Sequence, residues 1–468
     1  MVTSADPSSR ETPRGLISEA SALARLHALS DQIPRDIPSL VALPTLAEWF
    51  GEAQSLLAGE PDAEKAAEWL LDNTYVIERA IRQIREDMPP GYYKRLPALA
   101  DDDGAHWPRV YELARGIISA TSLQLTVESI RRFVAAYQRV ERLDLAELWA
   151  LPTMLRLGCL EVIVSALTRL APGLNAPFAF PADESLCLRL DETESVARGI
   201  RGLTALNAIP WSRFIDETSA IDAVLRHDPA AAYTRMDDDT RNQYRRAVED
   251  LARRSHHDER DVSRRVLTLA RRAREGTRAA HVGFWLIAEG RERLERSLRY
   301  RIAWSQWGRR FLRRHATGFY LGSLALLTLA FLSLPAAYLA EQGAGPGLSL
   351  LTMLLVLLPS TMLAITVLHW VIAKILPPTV LPKLDFRKSI PKDCRTAVVI
   401  PSLLGSVSDV EELLHQIERH RLSNPDPNLE FVLLTGLPEA DQPTLPGDAP
   451  LVEQVVAGIA ELNRRHAH

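Results

Sequence analysis

Cysteine is nearly absent. Cys159, Cys187 and Cys394 are the three in 468 residues, far apart and without a CxxC. That spacing excludes a disulfide framework and points to a reducing compartment for most of the chain. Lysine is scarce: six of the 55 basic residues are Lys, leaving 49 Arg. Charge of one sign is lacking too, since 59 acidic residues bring the net charge to −4. No global nucleic-acid-binding charge exists, and no nucleic-acid partner is expected. HExxH, GxSxG and a phosphate-binding glycine loop are missing. The first 14 residues have no apolar core and carry Pro7 and Pro13, which predicts a disordered start and no signal peptide. What is present is a balance of 47% hydrophobic and 24% charged residues. Such a chain is neither wholly disordered nor mostly membrane.

Two long charge-free runs stand out. Residues 316–340 and 348–373 carry no Asp, Glu, Lys or Arg. As helices they reach roughly 37 Å or more, past a bilayer core of about 30 Å. Between them, EQGAGPG at 341–347 reads as a tight turn. Arg309, Arg310, Arg313 and Arg314 precede the pair, and Lys374, Lys383, Arg387 and Lys388 follow it. The connecting turn has no Lys or Arg, so the positive-inside rule puts both large flanks in the cytoplasm. Trp304, Trp307 and Trp370 suit the interface. The pattern predicts a two-helix transmembrane hairpin over 316–375, with a lipid bilayer as partner.

Residues 15–315 read as a cytoplasmic α-helical region. Leu70, Ile77, Ile81, Ile84 and Met88 share one helical face, which PPG at 89–91 ends. Ile130, Phe133, Val134 and Tyr137 form a second stripe. Residues 143–171 are apolar but contain Glu147, Arg156, Glu161 and Arg169, which predicts a buried amphipathic helix and not a third span. A loop is expected near 175–185. Asp237, Asp238 and Asp239 resemble a metal-holding Asp-x-Asp, yet they precede a helical run, where capping is the expected role. Asp101 to Asp103 read as a solvated turn and His256-His257 as a surface turn. The Arg-rich run from 235 to 314 reads as a solvated helical face, with attraction to anionic lipid as the lesser alternative.

After the hairpin the pattern changes. TAVVI at 396–400 reads as a buried strand, 410–420 as a helix, 429–434 as a second strand and 451–462 as a second helix. Strand-helix-strand-helix is the opening of a parallel α/β sheet, whose ligands bind beyond the carboxyl ends of the strands. Those ends are Pro401-Ser402-Leu403 and Thr435-Gly436. Two strands cannot make a sheet buried on both faces, so residues 383–468 are expected to be an incomplete α/β domain.

Several segments, in order, carry a family resemblance: AAEWLLDN at 66–73, IREDMPPGYY at 84–93, RRFVAAYQ at 131–138 and LAELWA at 145–150; then DP at 228–229, YTRMD at 233–237 and HVGFWLI at 281–287; then LPKLDF at 381–386 and VIPSLL at 399–404. The chain resembles the N-terminal portion of bacterial cyclic β-1,2-glucan synthases. The resemblance implies a mainly α chain ending in the start of a GT-A-like glycosyltransferase domain, in the bacterial inner membrane. It implies UDP-glucose as donor, β-1,2-glucan as product and Mg or Mn as cofactor. It places Pro401, Ser402 and Gly436 where a nucleotide-sugar would approach. The family's metal-binding acidic motif and catalytic base lie beyond the matched region, and Gly436 stands where the family commonly has an acidic residue. The chain alone is therefore expected to be inactive, with a downstream polypeptide completing the transferase. The alternative is a non-catalytic membrane scaffold or regulatory module.

Overall fold

The computed structural model describes residues 13–57, 63–100, 106–171, 173–180, 190–376, 378, 380–442 and 445–466. The expectations for residues 1–12, for Asp101 to Asp103 and for the far end of the 175–185 loop lie outside them. The chain is mainly helical and divides into two compact units. One contains residues up to 234 together with 241–381. The other contains 235–240 together with 382–468.

The first unit is built around one helix, Leu145–Leu170, in which nearly every side chain is buried. Helices Thr74–Asp87, Arg109–Thr121 and Glu192–Ala208 pack against it. Gly199 sets one of these approaches, since a Cβ there would fall 2.5 Å from Ile163 Cγ1. The central helix is buried as expected but not amphipathic, because neighbours cover all its faces. Its first turn is closed by Glu147, whose Oε2 accepts from the Asp144 backbone N–H at 2.9 Å.

The single run expected over 70–88 is two helices, Glu64–Asp72 and Thr74–Asp87. Asn73 Nδ2 donates to Trp69 O at 2.9 Å and Thr74 Oγ1 to Leu70 O at 2.9 Å. These local side-chain bonds compete with the backbone ladder and break it there. The apolar stripe survives the break: Leu70, Ile77, Ile81 and Ile84 are all buried. The helix Val127–Tyr137 buries its stripe as expected. The N-terminal region also contains a two-residue antiparallel pairing, Leu29 with Leu99 and Ser30 with Ala98, too short for periodicity to reveal.

Among the described residues, three helices are long and apolar enough to cross a membrane. One is the central helix, enclosed by protein. The other two, Ala316–Glu341 and Pro346–Ile375, run unbroken through Pro335 and Pro359 and expose most of their apolar surface. They pack against each other, with Tyr320 near the start of one bonded to His369 near the end of the other at 3.1 Å.

Among its described residues the second unit has two parallel strands, Thr396–Leu403 and Leu429–Gly436, and two α-helices of its own, Val407–Ser423 and Asp448–Arg465. Both strands run two or three residues beyond their expected ends. Pro401 does not stop the first. Thr396 N donates to Asn428 O and Leu404 N to Gly436 O, both at 2.9 Å. At period two, Pro401 falls on the outer edge, where its missing N–H breaks no ladder bond. Leu404, Val410 and Val455 form the core, with Leu414, Leu433 and Ile459 against it. The expectation of a buried first strand needs correction. Val398 is 39% and Val399 49% exposed, because this sheet has only two strands among the described residues.

Candidate functional site

The second unit brings Pro401, Ser402 and Gly436 to one end of one sheet. In register, Pro401 pairs with Leu434, Ser402 with Thr435 and Leu403 with Gly436. Pro401 and Gly436 are exposed and Ser402 is half-buried. Three residues separate the first strand from the helix Val407–Ser423, and Ser406 Oγ caps that helix by accepting from Asp409 N at 3.2 Å. The partial positive charge of that helix N-terminus and the strand carboxyl ends therefore share one side of the fold. The Ser402 hydroxyl is buried without a hydrogen-bond partner. Alternation puts it on the same face as Leu433, beneath the helices. Among the described residues, no group of three or more His, Cys, Asp or Glu comes together as a metal site. The divalent cation implied by the resemblance has no ligand set in these residues.

The Asp237–Asp239 run serves the fold. Asp237 Oδ1 accepts from Thr240 N at 2.9 Å, capping the helix Asp238–Ser255. Asp238 pairs with Arg387 at 3.3 Å. The same strip of chain forms an antiparallel bridge between Met236 and Leu384, with Asp385 N donating to Arg235 O at 2.8 Å and Lys383 N to Thr240 Oγ1 at 2.9 Å. Two resemblance segments nearly 150 residues apart, 233–237 and 381–386, are thus joined by direct pairing. His256 and His257 lie in an exposed turn, as expected.

In the first unit, two other resemblance segments, 228–229 and 281–287, meet. Asp228 Oδ2 accepts from His281 Nδ1 at 2.8 Å, and Asp228 Oδ1 accepts from Val282 N at 3.1 Å. His281 Nε2 lies 3.0 Å from the Tyr244 hydroxyl. Burial alone would raise the Asp228 pKa, but the His281 bond, its charge and the backbone N–H donors outweigh burial and hold it below the usual range. Beside it, Arg245 is fully buried and donates to Asp222 at 2.8 Å, while Tyr233 donates to Asp222 at 2.7 Å. The reading of 235–314 as a solvated face fails at Arg245, whose carboxylate partners, Asp216 and Asp222, are supplied by two other helices. Every polar group in the Asp228–His281–Tyr244 chain has a partner, so it acts as a staple between segments.

No family model matches the chain. A curated relative does: the cyclic beta-(1,2)-glucan synthase NdvB of Rhizobium meliloti (strain 1021), 28% identical over 476 aligned positions. The alignment takes in 86% of this chain and 17% of that protein. The chain therefore spans about a sixth of the length of the relative it matches. Over most of its residues, the chain is related to the cyclic β-(1,2)-glucan synthases.

Proposed function

We propose that this chain is the membrane-anchored N-terminal part of a β-1,2-glucan synthase, which builds its product from UDP-glucose. The observation that carries this reading is the parallel strand-helix-strand-helix unit, which follows two exposed apolar helices in a chain related to that family. Ala316–Glu341 and Pro346–Ile375 form a transmembrane hairpin in the inner membrane, with both large flanks cytoplasmic. The strand carboxyl ends at Pro401, Ser402 and Gly436 form the edge of the nucleotide-sugar crevice. Further strands, the catalytic carboxylates and the Mg or Mn ligands come from a downstream polypeptide.

The test is a time course with labelled UDP-glucose and Mg²⁺. The chain alone is expected to make no polymer. Mixed with a separately expressed remainder of the relative, it is expected to make β-1,2-glucan. Polymer from the chain alone would overturn the assignment of catalysis to downstream groups. No polymer from the mixture would favour the non-catalytic scaffold.

A further inference from the structure

The first unit contains a cleft of about 500 Å³ between the central helix and the helix Asp238–Ser255. That size is in the range of small-molecule sites. The central helix buries three charges near its length's middle and start, and two of them are answered. Glu147 is gripped by Arg109, whose Nε donates to Oε1 at 2.8 Å. Glu161 accepts from Ser39 and from Tyr111 at 2.8 Å. The third, Arg156, is 6% exposed and makes no hydrogen bond or ion pair among the described residues. Arg156 is one of the residues that line the cleft. Asp87 lies near enough to offset part of its charge, but the buried Nε has no acceptor, which is rare because desolvation is costly. A planar group with five N–H donors and no acceptor calls for an oxygen-rich ligand.

The rest of the lining narrows the ligand class. Trp149 and Trp211 contribute half-buried indoles. Trp211 has already spent its N–H on Leu206 O at 3.0 Å, which leaves its ring for stacking. Arg246 and Glu249 project from the facing helix, and neither side chain has a hydrogen bond or ion pair among the described residues. Arg95, Arg156, Arg246 and Arg253 face Asp87, Glu249 and Asp250 in the same lining, so the charges nearly cancel and a phosphate gains little net attraction. Indole faces with forked donors and acceptors of both signs suit a neutral polyhydroxyl ligand: its C–H faces stack and its hydroxyls both donate and accept.

We infer that this cleft binds a saccharide, with Arg156 as its buried hydrogen-bond donor and Trp149 and Trp211 as its stacking surface. The saccharide class follows from the cleft; its identity as a β-1,2-linked glucan rests on the function proposed above. The test is calorimetric titration of the full chain in phosphatidylcholine nanodiscs. The probes are β-1,2-linked glucose oligosaccharides, β-1,4-linked ones and inorganic phosphate. Saturable binding of β-1,2 oligosaccharides is expected, weakened at least tenfold by Arg156→Met. Arg246→Ala, at an exposed position that the fold does not need, is expected to weaken it at least threefold. Binding of β-1,4 but not β-1,2 oligosaccharides, lost in the same variants, would support the cleft and overturn the glucan-synthase reading. Binding of phosphate alone would overturn the saccharide inference, as would no binding or binding unchanged in both variants.

Discussion

Gly283 has no room for a methyl group. A Cβ there would lie 2.0 Å from the Tyr244 hydroxyl oxygen and 2.6 Å from His281 Nε2. Gly283→Ala must push apart the pair that joins Asp228 to Tyr244, and overpacking of this kind costs about 1–3 kcal/mol. Thermal melts should show that loss, partly restored by adding Tyr244→Phe, which removes the nearest atom. An equal loss in the single and double variants would mean that the strain lies elsewhere. Glu259 makes a second prediction at this scale. Burial, then the charge of Asp144, pushes its carboxyl up to about 8, although Leu145 N donates to it at 3.0 Å. The folded value exceeds the unfolded one of about 4.3. Its stabilising contribution is therefore present below about pH 4 and is lost as the pH rises towards 8. Glu259→Gln should stabilise the chain by about 1–2 kcal/mol at pH 8 and by much less at pH 5. Equal melting shifts at the two pH values would refute this. The sequence makes Asp237 legible as a cap because capping is local. The Asp228–His281 and Arg245–Asp222 pairs escape it because each joins residues 53 and 23 positions apart. Local periodicity carries no information about such partners.

At the scale of the element, two apolar helices face outward and one is enclosed, and four charges tell them apart. Glu147, Arg156, Glu161 and Arg169 lie within Leu145–Leu170, with Arg156 and Glu161 near its middle. Each costs about 2.5–3.5 kcal/mol at the centre of a bilayer. In a microsomal insertion reporter, Ala316–Glu341 and Pro346–Ile375 should insert and Leu145–Leu170 should not. Insertion of the last would sink the distinction drawn between them. The helix Trp304–Arg314 leads into the first outward helix and leaves Trp304 at 91% and Trp307 at 58% exposed. Arg310 is tied back to Glu295 at 2.7 Å. Exposed aromatics next to an anchored cation suit the membrane interface. Helices of this kind were readable in advance because apolar runs and charge breaks are properties of a single segment. The break at Asn73 was not, since it depends on two side chains turning back onto their own backbone.

For the whole molecule, the two-stranded sheet matters most. Strand order and the positions of Pro401, Ser402 and Gly436 were legible from two apolar β-branched runs separated by a helical one. What covers each face was not, because coverage is decided by elements distant in sequence. Val399, Leu403, Val432 and Leu434 alternate onto the face opposite the helices, and Leu403 and Leu434 are 68% and 62% exposed. An open apolar face with unpaired strand edges is a surface that folded proteins ordinarily cover. The proposed function assigns that cover to the downstream polypeptide. Leu434→Lys separates the two roles of this face. On an exposed position it should change the stability of the chain by no more than about 0.5 kcal/mol. In an interface it would place an unpaired charge against apolar partners, where a loss above about 1.4 kcal/mol is tenfold in affinity. The melting temperature of Leu434→Lys should therefore match the parent. Polymer formation from UDP-glucose in the mixture with the downstream polypeptide should fall at least tenfold when that polypeptide is limiting in concentration. Full polymer formation by a variant with an unchanged melt would show that the second polypeptide does not dock on this face.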